Sequence, residues 1–376
     1  MQGEPGGRQS LLAWLEARIN LTEIASFLSV FGLLPTELDS RKPLREALRD
    51  AFHQPLPSYA QWPRVLGIVS FILFLFLAAT GTLLSFYYQP TADVAYASVT
   101  TISRDVQFGF LIRQTHGWAA TLFLLVLAAR VIRFFLGGLY ARGREIIWMA
   151  AVLAFVVGTF LDLTGRLLPW NDKGYWTTVR AREVIDGLPV IGSMVAFLVG
   201  GTGLDSLALT RFYVLHIAVF PALILGLFYL HFSSVRRVGM SRLAAPPLRA
   251  GRSIRLAMYD MVLILIVLVG VLLTLAIVWP QPYAPAADPL RTLPDAHPPW
   301  YLLAPHAVLE SLPSFVPRFL RGLLLVTLLG GVLFLPFLDR SAGGDRRNRL
   351  FFILGVLVMV TWVLLTFRGY WMEVSR

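Results

Sequence analysis

Seven runs of apolar residues constrain this chain more than any other feature. They lie near 65–88, 112–136, 146–168, 211–233, 256–279, 319–338 and 350–368. Each is long enough to cross about 30 Å of hydrocarbon as a helix. In lipid a segment must satisfy its own backbone hydrogen bonds, which a helix does. With 56% hydrophobic residues and a mean hydropathy of +0.67, the chain is too apolar for a soluble domain of its size. The expectation is an all-α integral membrane protein with seven transmembrane helices. An eighth run, Val190 to Val199, is too short to span and is expected at the surface between the third and fourth helices.

The net charge of +11 is clustered between the apolar runs. No folded basic domain is visible that could offer a face to nucleic acid, and topological signals explain the clusters better. With the N-terminus in the cytoplasm, the segments 1–64, 130–144, 236–255 and 340–349 share one side and carry 21 of the 33 Lys and Arg. This asymmetry predicts the N-terminus inside and the C-terminus outside; the expected location is a bacterial cytoplasmic (inner) membrane. The chain has no cysteine, which excludes disulfides, thiolate metal sites, iron–sulfur clusters held by this chain and covalently attached haem. Met1 to Ser10 has no apolar core that could serve as a cleavable signal. Leu11, Leu12, Trp14 and Leu15, then Ile24, Phe27, Leu28 and Phe31, recur at helical spacing and predict amphipathic helices at the membrane interface. The expected organisation is an interfacial segment over 1–64, a four-helix bundle over 65–240 and a three-helix part over 241–376.

Two histidines, His216 and His231, stand near opposite ends of the fourth run. Their spacing of fifteen corresponds to roughly 22 Å along a helix and about four turns, so both project from nearly one face at two depths. Polar residues at such depths are costly and usually functional. Two imidazoles facing each other can hold haem iron; two hydrogen-bonded histidines packing the bundle is the plainer alternative. His116, early in the second run, falls at the depth of His216 and makes a cross-helix pair with it. The corresponding partner for His231, fourteen residues past His116, is Arg130. By spacing alone the inner pair is incomplete.

Beyond spacing, the motifs are specific in combination. Gly67 and Gly81 stand fourteen apart, followed by Tyr87-Tyr88-Gln89-Pro90-Thr91 and by Phe108-Gly109-Phe110-Leu111-Ile112-Arg113 leading to His116. Thr164-Gly165-Arg166-Leu167-Leu168-Pro169-Trp170, Gly174-Tyr175-Trp176, Leu188-Pro189-Val190-Ile191-Gly192, Thr210-Arg211-Phe212 and Pro298-Pro299-Trp300-Tyr301 complete the set. From about Leu48 to Phe337 the chain resembles cytochrome b, the quinol-oxidising membrane subunit of bc and b–f complexes. The seven runs and the histidine spacing are closest to the photosynthetic form, with its four-helix and three-helix polypeptides fused. The resemblance implies two b haems stacked across a four-helix bundle and quinol oxidation on the outer side. It implies a Rieske iron–sulfur protein and a c-type cytochrome as partners, and a dimer of complexes. Residue by residue, His116 and His216 would ligate the outer haem, Arg113 would pair with its propionate, and Gly81 and Gly165 would let the ring approach the backbone. His231 would ligate the inner haem, Arg133 would meet a propionate there, and Pro298 to Tyr301 would border the quinol pocket.

Two departures from that pattern stand out. The family's second ligand on the second helix aligns with Arg130, whose permanently charged guanidinium is a poor iron ligand. The glycine that flanks the inner ring aligns with Ala151. Three readings are open: an absent inner haem, a five-coordinate haem on His231, or a shifted alignment. The second departure is Pro299, where the family often has a glutamate proposed to accept the quinol proton. His297 is the most economical replacement, because its reference pKa is close to the working pH; Asp295, His306 and Glu310 are the other candidates. Asp162 and Asp260 fall at the ends of apolar runs and carry only a weak signal. The expected function is a quinol oxidoreductase subunit whose activity resides in the complex. The alternative is a membrane scaffold or quinone-binding subunit that keeps the outer haem and has lost the transmembrane electron path.

Overall fold

The computed structural model describes residues 15–16, 18–30, 38–53, 65–140, 143–199, 203–238, 254–291, 293, 296–339 and 349–374. Two short helices come first, α1 (Leu21–Val30) and α2 (Leu44–His53). They pack on each other around Leu38, Ala47 and Ala51 and rest against later membrane helices. They belong to the amphipathic segment the sequence predicts; Leu11, Leu12, Trp14 and Phe31 lie outside the described residues.

Then come α3 (Val65–Ser85), α4 (Ala95–Arg104), α5 (Gly109–Leu136), α6 (Glu145–Leu167), α7 (Asp172–Asp186), α8 (Ile191–Val199) and α9 (Ser206–Val214). A π-helical turn over Leu215–Val219 joins α9 to α10 (Phe220–Val238). Helices α3, α5, α6 and α9–α10 form a bundle in which α3 pairs with α5 and α6 pairs with both α5 and α10. Its middle is an interlock of aromatic rings: Phe74, Phe123 and Phe228 meet edge-on or tilted with centroids 5.8–6.4 Å apart. Such offset aromatic pairs fill volume without leaving a polar group unsatisfied.

The second part comprises α11 (Ile254–Val278), α12 (Trp300–Ser311), α13 (Arg318–Leu333), α14 (Leu335–Leu338) and α15 (Arg349–Val374). Many large apolar side chains of α11 and α15, such as Ile266, Ile277, Leu364 and Phe367, are exposed. This is what lipid-facing helices require, since hydrocarbon solvates them. The connection after α11 is stitched to the bundle. Gln114 Nε2 donates to the Gln281 carbonyl at 3.2 Å while the Gln281 amide donates to Gln114 Oε1 at 2.8 Å. Trp118 Nε1 donates to the Trp279 carbonyl, and an isolated antiparallel bridge joins Asn171 to Ala286.

Among the described residues, six helices are long and apolar enough to cross a membrane. The expected seventh span, 319–338, is divided. Its helix α13 has 16 residues, about 24 Å at 1.5 Å per residue, short of the roughly 30 Å core. Phe334 leaves helical geometry with φ −92° and ψ 12°. Pro336 follows two residues later; it supplies no backbone N–H and its ring crowds the carbonyl one turn earlier, so the helix restarts as the short α14.

Candidate functional site

Two imidazoles converge where α5 faces the start of α10. His116 stands in the second turn of α5, and His216 lies inside the π turn, a geometry frequent at functional sites. Four turns of helix take about 14.4 residues, so the wider turn absorbs the surplus in the fifteen-residue spacing between His216 and His231.

The hydrogen bonds set the tautomers. Thr80 Oγ1 gives its proton to the Phe76 carbonyl at 2.7 Å and lies 2.8 Å from His116 Nδ1. It can therefore accept from Nδ1–H. His216 Nδ1 is 3.0 Å from the Leu161 carbonyl, which can only accept, and 3.3 Å from Thr164 Oγ1. Both rings thus carry the proton on Nδ1 and a lone pair on Nε2. Neither Nε2 has a hydrogen bond among the described residues. This is how metal-binding imidazoles are usually prepared, with the far nitrogen held by an acceptor. The ring centroids are 6.3 Å apart. Two imidazoles sharing one iron at about 2 Å from each nitrogen require a centroid separation of about 6 Å.

The pair borders a cavity of about 250 Å³ between α3, α5, α6 and the π turn, with Gly81, Phe123, Gly158 and Leu161 among its walls. A Cβ on Gly81 would sit 3.2 Å from His116 Cε1, and one on Gly165 would sit 2.6 Å from His216 Cε1. Glycine is needed at these positions for close approach. One turn before His116, the Arg113 guanidinium lies 5.2 Å from the Tyr283 ring centre, and its buried Nε has no partner among the described residues. A cation left in this way suits a carboxylate such as a haem propionate. The outer residues therefore fit a b haem in ligand chemistry, spacing and wall shape.

The inner layer is built differently. His231 is 3% exposed, its Nδ1 lies 3.0 Å from the Ile147 carbonyl, and its ring stacks on Phe134 with centroids 5.5 Å apart. Arg130 is 4% exposed and donates through Nη1 to Ser70 Oγ at 2.8 Å. Arg133 is half-buried near the end of α5.

In the Pro298–Tyr301 segment, Pro298 and Pro299 are buried and lead into α12, with Trp300 half-buried. Tyr301 is 6% exposed and reaches back to α6, where its hydroxyl donates to Asp162 Oδ2 at 2.9 Å, with the Thr159 carbonyl at 3.2 Å. Burial, and next the charge of Asp162, push the Tyr301 phenol well above its ordinary pKa. Asp162 also pairs with Arg166 Nε at 2.5 Å, and it lines the cavity beside His116 and His216. The sequence carried a faint sign of this cluster: Asp162 and Arg166 are four apart and so share a helix face. His297 sits elsewhere. It is half-buried against the Tyr370 ring at 5.8 Å, its Nδ1 is 3.0 Å from the Pro298 carbonyl, and it does not line this cavity. His306 is buried within α12 and Glu310 is exposed; Asp295 lies outside the described residues.

Comparison with known proteins agrees with this architecture. The chain matches the family described as cytochrome b/b6/petB over residues 52–239, and the family described as cytochrome b(C-terminal)/b6/petD over residues 286–374. It is 41% identical to cytochrome b6 of Tupiella akineta over 177 residues, 47% of this chain and 82% of the relative. It is 36% identical to cytochrome b6 of Rippkaea orientalis over 204 residues, 54% of this chain and 92% of the relative. A solved chain from a hyperthermophilic respiratory Complex III superposes with a TM-score of 0.72 at 25% identity, covering 96% of this chain and 91% of that one. Paired membrane-depth histidines, an apolar helical bundle and both matched segments lead to one conclusion: this chain is a multi-pass membrane protein of the cytochrome b/b6 family.

Proposed function

We propose that the chain is the cytochrome b subunit of a quinol-oxidising complex of the bc or b–f type, with a b haem held between His116 and His216. The observation that carries this reading is the pair of Nε2 lone pairs, on rings 6.3 Å apart, bordering a glycine-walled cavity. Bound there, the haem would supply a one-electron acceptor. The chain's own residues do the rest. Thr80 and the Leu161 carbonyl hold the imidazoles in one tautomer, Gly81 and Gly165 admit the ring edge, and Arg113 neutralises a propionate. Pro298 to Tyr301 border the quinol. Asp162 is the carboxylate that can receive a quinol proton in place of the glutamate missing at Pro299. It is hydrogen-bonded to Tyr301 of that segment and kept in place by Arg166, whereas His297 rests against Tyr370 of α15. A Rieske protein and a c-type cytochrome on other chains would complete the complex, which by family likeness is a dimer. The charge asymmetry supports an orientation with the N-terminus inside, in what we take to be a bacterial cytoplasmic membrane.

The test is quinol reduction of the purified complex followed at the haem α-band. Wild type should show a rapidly reduced low-spin haem, and His116→Ala should lose it. A His116→Ala protein with wild-type haem and wild-type reduction would overturn the assignment.

A further inference from the structure

Family likeness implies a second haem on the inner side, and here the residues do not fit one. The position that would carry the opposing ligand is Arg130, whose guanidinium is already engaged with side chains of α3 and α10. Its guanidinium lies 5.7 Å from the ring centres of both Phe228 and Phe232 and donates to Ser70 Oγ at 2.8 Å. Ser70 in turn donates to the Gly67 carbonyl at 2.8 Å. Gly67, at the family's position for close approach on α3, faces Phe232: an added Cβ would meet that ring at 3.5 Å. Across the bundle, Ala151 is 4% exposed and packed in one cluster with Phe134, Trp148 and Val152. His231 is covered by Phe134 on one side, and the Phe232 ring lies edge-on at 5.5 Å.

The outer and inner layers of the same bundle therefore differ in kind. In the outer layer Gly81 borders a cavity; in the inner layer Gly67 and Ala151 border packed side chains. A buried cation beside two aromatic rings with a hydroxyl acceptor is stabilised in place. We infer that Arg130, Ser70 and the phenylalanines around them replace the inner haem, so that this chain carries a single b haem confined to its outer half. The roughly 20 Å from His216 to the inner face is then bridged by protein alone. This rests on the proposed haem site at His116 and His216.

The experiment is haem b per polypeptide in the purified full-length protein, measured by pyridine haemochromogen and followed by a redox titration. One low-spin haem titrating as a single one-electron component is expected. It should be lost in His116→Ala and kept in His231→Ala and Arg130→Gln. Two haems per chain would overturn the inference and leave the proposed function standing. So would a single haem that disappears in His231→Ala but survives in His116→Ala, although that result would also move the proposed site. No haem in wild type would overturn the function on which the inference rests. If His231→Ala fails to fold, the wild-type stoichiometry and the Arg130→Gln protein still decide.

Discussion

Gly165 offers the sharpest test of the outer site. A methyl group there would lie 2.6 Å from His216 Cε1, whereas carbon atoms rest at about 3.5–4.0 Å. The ring must retreat by about 1 Å. Gly165 lies in the last turn of α6, so alanine there stabilises by at most the about 0.5–1 kcal/mol of a mid-helix exchange, whereas forced overpacking costs about 1–3 kcal/mol. Without haem, the His216 ring can swing away and the helix keeps its gain. With haem, iron pins the ring, so the cost falls on the bound state. At about 1.4 kcal/mol per tenfold, haem affinity should fall by about 5–150-fold. Gly81→Ala should do less, because its Cβ would stand 3.2 Å from His116 Cε1. Gly226 in α10 has nothing within 4 Å of an added Cβ and serves as the control. The assay is haem transfer to apo-myoglobin from detergent-solubilised protein, with thermal unfolding of the apo form alongside. Gly165→Ala protein that retains haem as well as Gly226→Ala would refute the reasoning.

Further predictions concern the groups around that site. Thr80→Val removes the acceptor for His116 Nδ1–H, making the imidazole a weaker donor to ferric iron. The haem potential should rise by about 20–60 mV, taking about 0.5–1.5 kcal/mol for the bond and 59 mV per tenfold; an unchanged or lower potential would count against the tautomer assignment. Asp162→Asn should slow quinol oxidation by about 10²–10⁴-fold if the carboxylate receives the proton, with Asp162→Glu partly restoring it, while the haem content of both stays normal. Arg113→Gln should weaken haem retention without altering the low-spin spectrum, since the ligands are untouched. Tyr301, whose folded pKa is raised first by burial and then by Asp162, binds its proton more tightly when folded. Its contribution is complete below the unfolded value of about 10 and is lost as pH rises towards the folded one. Alkaline unfolding of Tyr301→Phe should therefore begin at higher pH than that of wild type once their stabilities at neutral pH are matched.

Much of this was readable along the chain because membrane burial writes long, local patterns. Continuous apolar runs can only be solvated by lipid, so most spans were visible. Histidines inside them stood out because a polar group at that depth needs a reason. The division of the run 319–338 at Phe334 was less visible: the run is apolar throughout, and only Pro336 hinted at a break. Asp162 was visible as an acid at a helix end, but its partner Tyr301 is 139 residues away. Nothing local distinguishes that arrangement from an ordinary surface pair. His297 was favoured on intrinsic pKa alone, a property that says nothing about which way a side chain faces.

The sequence by itself determined the medium, the helical class, the histidine pair at matching depth and the presence of an arginine where an imidazole was expected. These depend on residue identity and on the fixed rise and turn of a helix. Only the tertiary structure decided what Arg130 does. Its two aromatic neighbours come from α10 and its hydroxyl from α3, and only their packing offsets part of the cost of a buried charge. Tertiary contact likewise decided which nitrogen of each outer histidine is free, because Thr80 and the Leu161 carbonyl reach those rings from other helices. Ligand chemistry is written in residue type, whereas room for a ligand depends on how separate helices close around it.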